Sequence, residues 1–316
     1  MKSVLVLALL LPAFAHAQAW PARPVTFYLS NSAGSSPDIV LRQVTERLGR
    51  GLRQQIIVIN QPGASGIPPV QSLLRSKPDG HTLLFAGNSQ LTANSFLVKD
   101  LPYDTERDLA PLAMVVDSTP FIVAANINLK ANSIAELIAL ARAQPGKLSY
   151  AVSGTLAPIL GNLFNRRAGV DMVQVPYKDT MQGTQETVSG LTQINYQALT
   201  TLDPFFRAGK LKYLGVTSLK RFPVIPDVPA VSETIAGFSL DGWFVILGPN
   251  GIPAEARDRI NREVDMALRD PDLQKRMAGF GFASSGAGSP ESIRAFMRGE
   301  RENWQRIVNE LKLQAQ

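Results

Sequence analysis

The chain has 316 residues, 45% of them hydrophobic and 18% charged, and this length suggests about two domains of roughly 100–200 residues each. The formal net charge is +6, but Lys and Arg are scattered singly, which argues against a nucleic-acid partner. The sequence contains no cysteine, which excludes cysteine nucleophiles, thiolate metal sites and disulfides.

The N-terminus has the pattern of a secretory signal peptide. Met1-Lys2 is a cationic start, residues 4–14 form an apolar run, and Ala15-His16-Ala17 is an A-x-A cleavage site. The alternative, a buried N-terminal helix, is disfavoured by the Trp20-Pro21 pair that follows. We therefore predict that residues 1–17 are removed by cleavage after Ala17. No other apolar stretch reaches the ~20 residues that a membrane span requires.

Strands and helices alternate along the first half of the chain. We predict strands at 25–29, 55–59, 81–86, 111–116 and 121–125, and helices at 36–50, 69–76 and 133–143. The last helix starts with a capping box formed by Ser133 and Glu136. This alternation is typical of an α/β fold with mostly parallel strands.

The second half continues the alternation. We predict strands at 148–152, 172–176, 194–196, 213–217 and 243–247, and helices at 158–168, 180–189, 253–268, 271–278 and from 289 to the end. Residues 222–229 contain too many prolines for regular structure.

The sequence offers little for catalysis. After signal removal the one histidine is His81, which we expect to be a surface residue in a turn. There is no G-x-S-x-G elbow, P-loop, G-x-G-x-x-G after a strand or H-E-x-x-H. We therefore predict a protein that is not an enzyme, with no catalytic residues, no metal site and no cofactor.

Two predicted strand-to-helix junctions are candidate anion sites. In the first, Ser36 is the expected N-cap and Pro37 the first helical residue; in the second, Pro158 is the expected first helical residue after 153–155. A helix start presents unpaired N–H groups and the positive end of its dipole. Each junction alone is typical of an ordinary α/β loop. One in each half of the chain suggests two domains that face a carboxylate between them.

Several short motifs occur in order through nearly the whole mature chain. They are Asn60-Gln-Pro-Gly-Ala-Ser-Gly66, Lys77-Pro-Asp-Gly-His-Thr-Leu-Leu84, Leu101-Pro-Tyr-Asp104, Val175-Pro-Tyr-Lys178, Pro226-Asp-Val-Pro229, Trp243-Phe244 and Gly248-Pro-Asn-Gly-Ile-Pro253. With these motifs the sequence resembles the substrate-binding receptors of tripartite tricarboxylate transporters, the Bug family of periplasmic proteins.

The resemblance implies an α/β, two-lobed periplasmic-binding-protein fold of the Venus-flytrap, type II-like kind, with a mixed, mostly parallel sheet in each lobe. Lobe one would comprise 22–122 plus 237–316, lobe two 123–236, with the ligand cleft between them. The implied function is a monomeric periplasmic receptor that captures a small organic acid for a membrane permease. A ligand sensor for a membrane signalling partner is an alternative, and a secreted hydrolase on the same scaffold, using Asp38 and a water, is less favoured.

The resemblance and the two junctions together give a set of ligand-binding candidates. They are Asn31, Ala33, Gly34, Ser35, Asp38, Ser89, Gln90, Ser153, Gly154, Thr155, Gln197 and Ala198. The chain departs from the family pattern at four positions of the expected pocket: Asn31 replaces an aromatic residue, Ser35 a glycine, Pro158 a histidine and Asn162 a glutamate. These changes imply a receptor with an altered solute, or one that no longer binds a simple dicarboxylate.

Four residues have two interpretations each. Asp38 either contacts the ligand or complements the helix N-terminus, where it would contribute ~0.3–1 kcal/mol. Lys178 either supplies a cation to a carboxylate or is an ordinary surface residue. Trp243 and Phe244 are expected in core or hinge packing more than against a ligand.

Overall fold

The computed structural model describes residues 20–153 and 156–315. The predicted signal peptide and two of the site candidates, Gly154 and Thr155, lie outside the described residues.

The first part of the chain forms parallel strands with helices between them. Its elements are β1 (Val25–Leu29), α1 (Ser36–Leu52), β2 (Ile56–Asn60), α2 (Ile67–Leu74), β3 (Thr82–Gly87), α3 (Asn94–Leu97) and α4 (Thr105–Asp108). Strand β1 lies between β2 and β3 and is parallel to both. A π-helical turn at Ser89–Ala93 follows β3 directly.

The remaining elements form a second group of strands and return to the first. They are β4 (Leu109–Asn126), α5 (Ile134–Ala143), β5 (Ser149–Val152), α6 (Leu156–Ala168), β6 (Val173–Pro176), α7 (Thr180–Ser189), β7 (Ile194–Ala198), α8 (Leu199–Arg207), β8 (Leu211–Val216), β9 (Asp241–Pro249), α9 (Ala254–Leu268), α10 (Pro271–Gly279) and α11 (Pro290–Leu311).

Strand β4 connects the two groups. Its first part pairs with β9, which also pairs with β3, and its last part pairs with β7 and β8. The first strand group is therefore β1–β3, β9 and the start of β4; the second is β5–β8 and the end of β4. Between them, Pro120 lies opposite Asp241. Among the described strands, four pairings are parallel and four antiparallel, so the sheet is mixed, with a larger antiparallel share than predicted.

The prediction of two separate strands at 111–116 and 121–125 was wrong, because β4 is one strand of 18 residues. The polar residues Asp117, Ser118 and Thr119 interrupt the apolar pattern without ending the strand. The register against β9 shifts between Val116 and Thr119. Ser118 Oγ and the Thr119 N–H both donate to the Asp241 carboxylate, at 2.6 and 3.0 Å. These hydrogen bonds to Asp241 keep the polar residues within the strand.

Helix α11 packs against the cores of both strand groups. Near its start, Ile293 is buried in a cluster with Trp243 and residues of β3 and β4. Near its end, Trp304 and Ile307 are fully buried among residues of β5, β7 and α6. An ion pair at 3.1 Å between Glu310 of α11 and Arg167 of α6 lies beside this second contact.

The helix starts confirm one capping prediction and contradict two others. Ser133 Oγ accepts a hydrogen bond from the Glu136 N–H at 3.1 Å, which confirms this N-cap, although the Glu136 carboxylate returns to the N–H of Asn132. The predicted N-cap Ser36 was wrong: Ser35 holds that position, with extended backbone, and Ser36 is the first helical residue. Helix α6 is described from Leu156, so Pro158 is not its first residue.

Two other expectations also need correction. His81 is not a surface residue, because only 7% of it is exposed and the Trp20 ring packs against it edge-on at 5.8 Å. The chain between β7 and β8 contains helix α8, which was not predicted. The proline-rich segment 222–229 has turns and no regular element, as predicted.

Candidate functional site

A cavity of about 410 Å³ lies between the two strand groups. The residues that line it come from both groups: from the ends of strands, the starts of helices, the middle of β4 and the segment after α10. They are Asn31, Ser35, Ser36, Pro37, Gly87, Asn88, Ser89, Gln90, Thr119, Pro120, Phe121, Leu156, Ala198, Thr200, Gly242, Trp243, Phe244, Phe280 and Phe282. Five predicted site residues, Asn31, Ser35, Ser89, Gln90 and Ala198, are among them.

Two helices without a side-chain cap begin at this cavity. At the start of α1, Ser35 does not cap the helix, since its Oγ donates to the Ser32 carbonyl at 2.7 Å. At the start of α8, the N-cap position is held by Ala198, which has no polar side chain. Both starts present backbone N–H groups and a positive dipole end, which favour an anion. One helix follows β1 and the other β7, so each strand group contributes one such helix start to the cavity.

Asp38 is buried behind the loop before α1 and does not line the cavity. Its carboxylate accepts hydrogen bonds from the Gly34 N–H at 2.9 Å, from Asn60 Nδ2 at 2.9 Å and from Arg42 Nε at 3.1 Å. Burial raises the pKa of Asp38, but these three donors outweigh burial, so the pKa lies below its ordinary value. Of its two interpretations, the contacts favour the structural one: Asp38 holds the loop that carries Asn31 and Ser35.

We expect Asp38→Asn to lower stability and to change ligand affinity little. The NH2 group of the new amide faces one of the donors that bind the carboxylate, so a hydrogen bond is lost. The free energy of unfolding should fall by about 1–3 kcal/mol at pH 7. Because the folded-state pKa is lowered, this contribution is present above the ordinary pKa of 3.8 and is lost as the pH falls through the lower folded-state value. Urea denaturation at pH 7 and in acid measures both effects.

The matched control is Asp258→Asn, which removes a carboxylate that is 62% exposed and paired with its neighbour Arg257. Its effect should stay below about 1 kcal/mol. A large loss of affinity in Asp38→Asn with unchanged stability would instead assign Asp38 to the ligand.

Other predicted residues lie beside the cavity without lining it. Ser153 Oγ accepts a hydrogen bond from Gln197 Nε2 at 2.8 Å and lies 2.9 Å from Thr180 Oγ1, so these side chains bind one another. Ala33 and Gly34 are exposed residues of the loop before α1. Lys178 is also exposed and does not line the cavity.

Polar side chains after β3 connect the cavity to the region where the strand groups meet. Gln90 accepts from the Gly87 N–H at 3.2 Å and donates to Ser30 Oγ at 2.8 Å, which fixes its loop. Asn88 Nδ2 donates to the Asp241 carbonyl at 3.0 Å. Trp243 Nε1 donates to the Glu300 carboxylate at 3.1 Å. Trp243 and Phe244 thus line the cavity and also take part in packing.

Asp241 is an acid with an unusual pKa beside the cavity. Burial raises its pKa to about 7, the Glu300 carboxylate adds to this, and hydrogen bonds from Ser118, Thr119 and Gly242 oppose it. A pKa raised in the folded state stabilises the fold at low pH, and this contribution is lost as the pH rises through about 7.

We therefore expect Asp241→Asn to stabilise the protein above pH 7. An asparagine oxygen can accept the bonds from Thr119 and Gly242, while its NH2 group donates to Ser118 Oγ. Each pKa unit is equivalent to ~1.4 kcal/mol in the free energy of unfolding. Because Asp241 is partly exposed, water reduces the effect of its raised pKa, and we expect a gain of about 1–3 kcal/mol at pH 8.5. Unfolding midpoints at pH 5 and pH 8.5 measure it. Equal effects at the two pH values would contradict the ionisation of Asp241.

Several lining residues were missed by sequence reasoning, notably Asn88, Thr119, Phe121, Thr200 and the pair Phe280 and Phe282. Thr200 could have been found from its place just after a predicted strand. Phe280 and Phe282 follow α10 and reach the cavity because Ala283 pairs with Ser118. No local signal in the sequence indicates that pairing.

Within residues 20–153 and 156–315, no group of three or more His, Asp or Glu side chains is placed to hold a metal ion. Over the same residues, no helix is both long and apolar enough to cross a bilayer.

Comparison with known proteins gives a consistent result. Residues 40–313 match the family model described as Tripartite tricarboxylate transporter family receptor. A UPF0065 protein of Bordetella bronchiseptica is 34% identical over 96% of this chain and 90% of its own length. BugT of Bordetella pertussis is 29% identical over 93% of this chain and 91% of its own length.

Solved structures include similar proteins with carboxylates bound. A protein of R. palustris, solved with adipate, is 25% identical, with a TM-score of 0.78 over 94% of this chain and all (100%) of its own. MatC of Rhodopseudomonas palustris, solved with malate, is 26% identical, with a TM-score of 0.73 over 92% of this chain and 100% of its own.

Proposed function

Because this chain belongs to the tripartite tricarboxylate transporter receptor family, we propose that it is a solute-binding receptor that captures a small carboxylate between two lobes. The observation that carries the proposal is the pair of helix starts without side-chain caps, α1 and α8, which face one cavity from different strand groups. Adipate and malate in two structural relatives support a carboxylate as the ligand class.

The proposed mechanism is closure of the lobes around the ligand. The carboxylate accepts hydrogen bonds from the N–H groups at the starts of α1 and α8. The closed arrangement places both helix starts near it, so the ligand binds that arrangement more tightly and shifts the equilibrium towards it. We assign ligand contact to Asn31, Ser35, Ser89, Gln90 and Ala198. This assignment does not depend on residues 154 and 155, whose contact with the ligand stays a prediction.

The lobe boundaries are part of the proposal. Lobe one comprises 22–122 plus 237–316 and lobe two 123–236. The separate hydrophobic clusters of the two strand groups support this division. The end of α11 packs on lobe two, although it follows lobe one in the chain.

We also propose that the protein carries out no chemistry on its ligand. The lining residues that the structure describes include no Asp, Glu, His, Lys or Arg, so the cavity offers no general base or charged electrophile. The hydrolase alternative required Asp38, whose carboxylate is occupied by Gly34, Asn60 and Arg42. No contact among the described residues favours the sensor alternative over transport.

Location and partner follow from the family and the N-terminal pattern. We propose a monomer that is exported by the cleavable signal peptide, acts in the periplasm and delivers its ligand to a membrane permease. Mass spectrometry of the exported protein tests the cleavage, with a mature N-terminus at Gln18 as the expected result.

The function is tested by thermal unfolding of the mature protein with a panel of mono-, di- and tricarboxylates, each matched by its uncharged amide. A ligand at 100 times its Kd stabilises by about 2.7 kcal/mol, which raises the unfolding midpoint by a few degrees. We expect at least one acid to do so and its amide to do nothing. Stabilisation by amides or sugars, and by no acid, would contradict the proposal.

A further inference from the structure

The cavity is unusually rich in aromatic side chains. Five of its nineteen described lining residues are aromatic, whereas aromatic residues are 7% of the whole chain. The five, which we call the aromatic wall, are Phe121, Trp243, Phe244, Phe280 and Phe282. This enrichment indicates that the wall contacts an apolar part of the ligand.

The aromatic wall is held in place before any ligand binds. Phe244 is stacked on Phe85 with ring centroids 5.1 Å apart and an angle of 11° between the rings. Phe282 lies at 6.0 Å from Phe244, and only 6% of it is exposed. The next residue, Ala283, donates its N–H to the Ser118 carbonyl at 2.9 Å. A preformed surface of this kind binds a flat apolar group with little loss of conformational entropy.

The charges around the cavity favour one carboxylate over two. Among the described residues, the helix starts at the cavity that favour an anion are those of α1, at Ser35, and α8, at Ala198. The Glu300 carboxylate lies behind the wall, where it accepts a hydrogen bond from Trp243 Nε1 at 3.1 Å. A second carboxylate against the wall would lose hydration without gaining a cation among the described lining residues, and burying such a charge is costly.

We propose that the ligand is an aryl monocarboxylate, with its carboxylate at the starts of α1 and α8 and its ring against Phe121, Phe244 and Phe282. This inference rests on the proposed function and narrows its ligand class. The aromatic wall contributes the binding free energy of the ring, and the helix starts make the carboxylate necessary for binding.

Calorimetric titration of the mature protein with four probes tests the inference: phenylacetate, its amide phenylacetamide, adipate and malate. We expect phenylacetate to bind at least about tenfold more tightly than either dicarboxylate and about 100-fold more tightly than phenylacetamide. Tighter binding of adipate or malate than of phenylacetate would overturn this inference and leave the carboxylate receptor intact. Failure of all three acids to bind would overturn the inference and count against the proposed function as well.

Variants separate ring recognition from general damage to the fold. Phe121→Leu should weaken phenylacetate binding about tenfold and adipate binding by a smaller factor, because it removes a ring from the wall but keeps an apolar side chain there. The control is Phe206→Leu, since Phe206 is 43% exposed, stacks on Tyr213 and does not line the cavity. It should change neither affinity. Equal weakening of both acids by Phe121→Leu would show a structural effect and overturn the role of this ring.

Discussion

Ala198→Asp is expected to weaken carboxylate binding strongly without unfolding the protein. Ala198 holds the N-cap of α8 and lines the cavity. Aspartate is a preferred N-cap, so its side chain should accept from the first N–H groups of the helix and stabilise it by about 1 kcal/mol. The same carboxylate would then occupy the proposed anion site and repel the ligand.

The expected loss of affinity is on the order of 100-fold, since it combines the lost N–H donors with charge repulsion. Calorimetric titration with the acid that gives the largest thermal shift measures it, and the unfolding midpoint is recorded in parallel. Ala198→Asn is the matched control, because it caps the helix without a charge and should cost about tenfold. Unchanged affinity in Ala198→Asp would remove α8 from the binding site.

Trp304→Ala is expected to cause the largest loss of stability. Trp304 is fully buried in the core of the second strand group, near Phe164 and Tyr196, although it belongs to the last helix of the chain. Its removal should cost about 3–5 kcal/mol, because surrounding helices and strands cannot close the resulting cavity. Guanidinium denaturation followed by circular dichroism measures the change.

Two control variants test whether the loss of stability comes from the removal of a buried ring. Trp304→Phe keeps most of the buried ring and should cost less than the alanine variant. Leu191→Ala removes a side chain that is 70% exposed and should change stability by less than about 0.5 kcal/mol. A cost below about 1 kcal/mol for Trp304→Ala would show that α11 does not complete this core.

The sequence predicted most elements because their patterns are local. Val25–Leu29 and Thr180–Ser189 occur within the predicted bounds, and the first helix differs by two residues at its end. Helix α8 was missed because Pro204 lies inside it and two threonines lie in its first turn, both unfavourable for a helix interior. Its burial against β4 and β8 outweighs those preferences.

The residues that line the cavity were predicted in part. A strand-to-helix junction found from the sequence led to Ser35, whereas Ala198 came from the family resemblance, because helix α8 was not predicted. Whether a side chain points into the cavity depends on partners far along the chain. The Asp38 carboxylate accepts a hydrogen bond from Asn60 and Ser153 Oγ accepts one from Gln197, and neither residue lines the cavity. Phe282 reaches the cavity only through the pairing of Ala283 with Ser118.

The position of Trp304 also determines the order in which the chain can fold during synthesis. Residues 123–236 leave the ribosome well before helix α11, yet their core includes Trp304 and Ile307. That core therefore stays incomplete until α11 has been synthesised. A nascent chain with an incomplete core stays unfolded and can pass through a secretion channel. Export by the predicted signal peptide would require such a state.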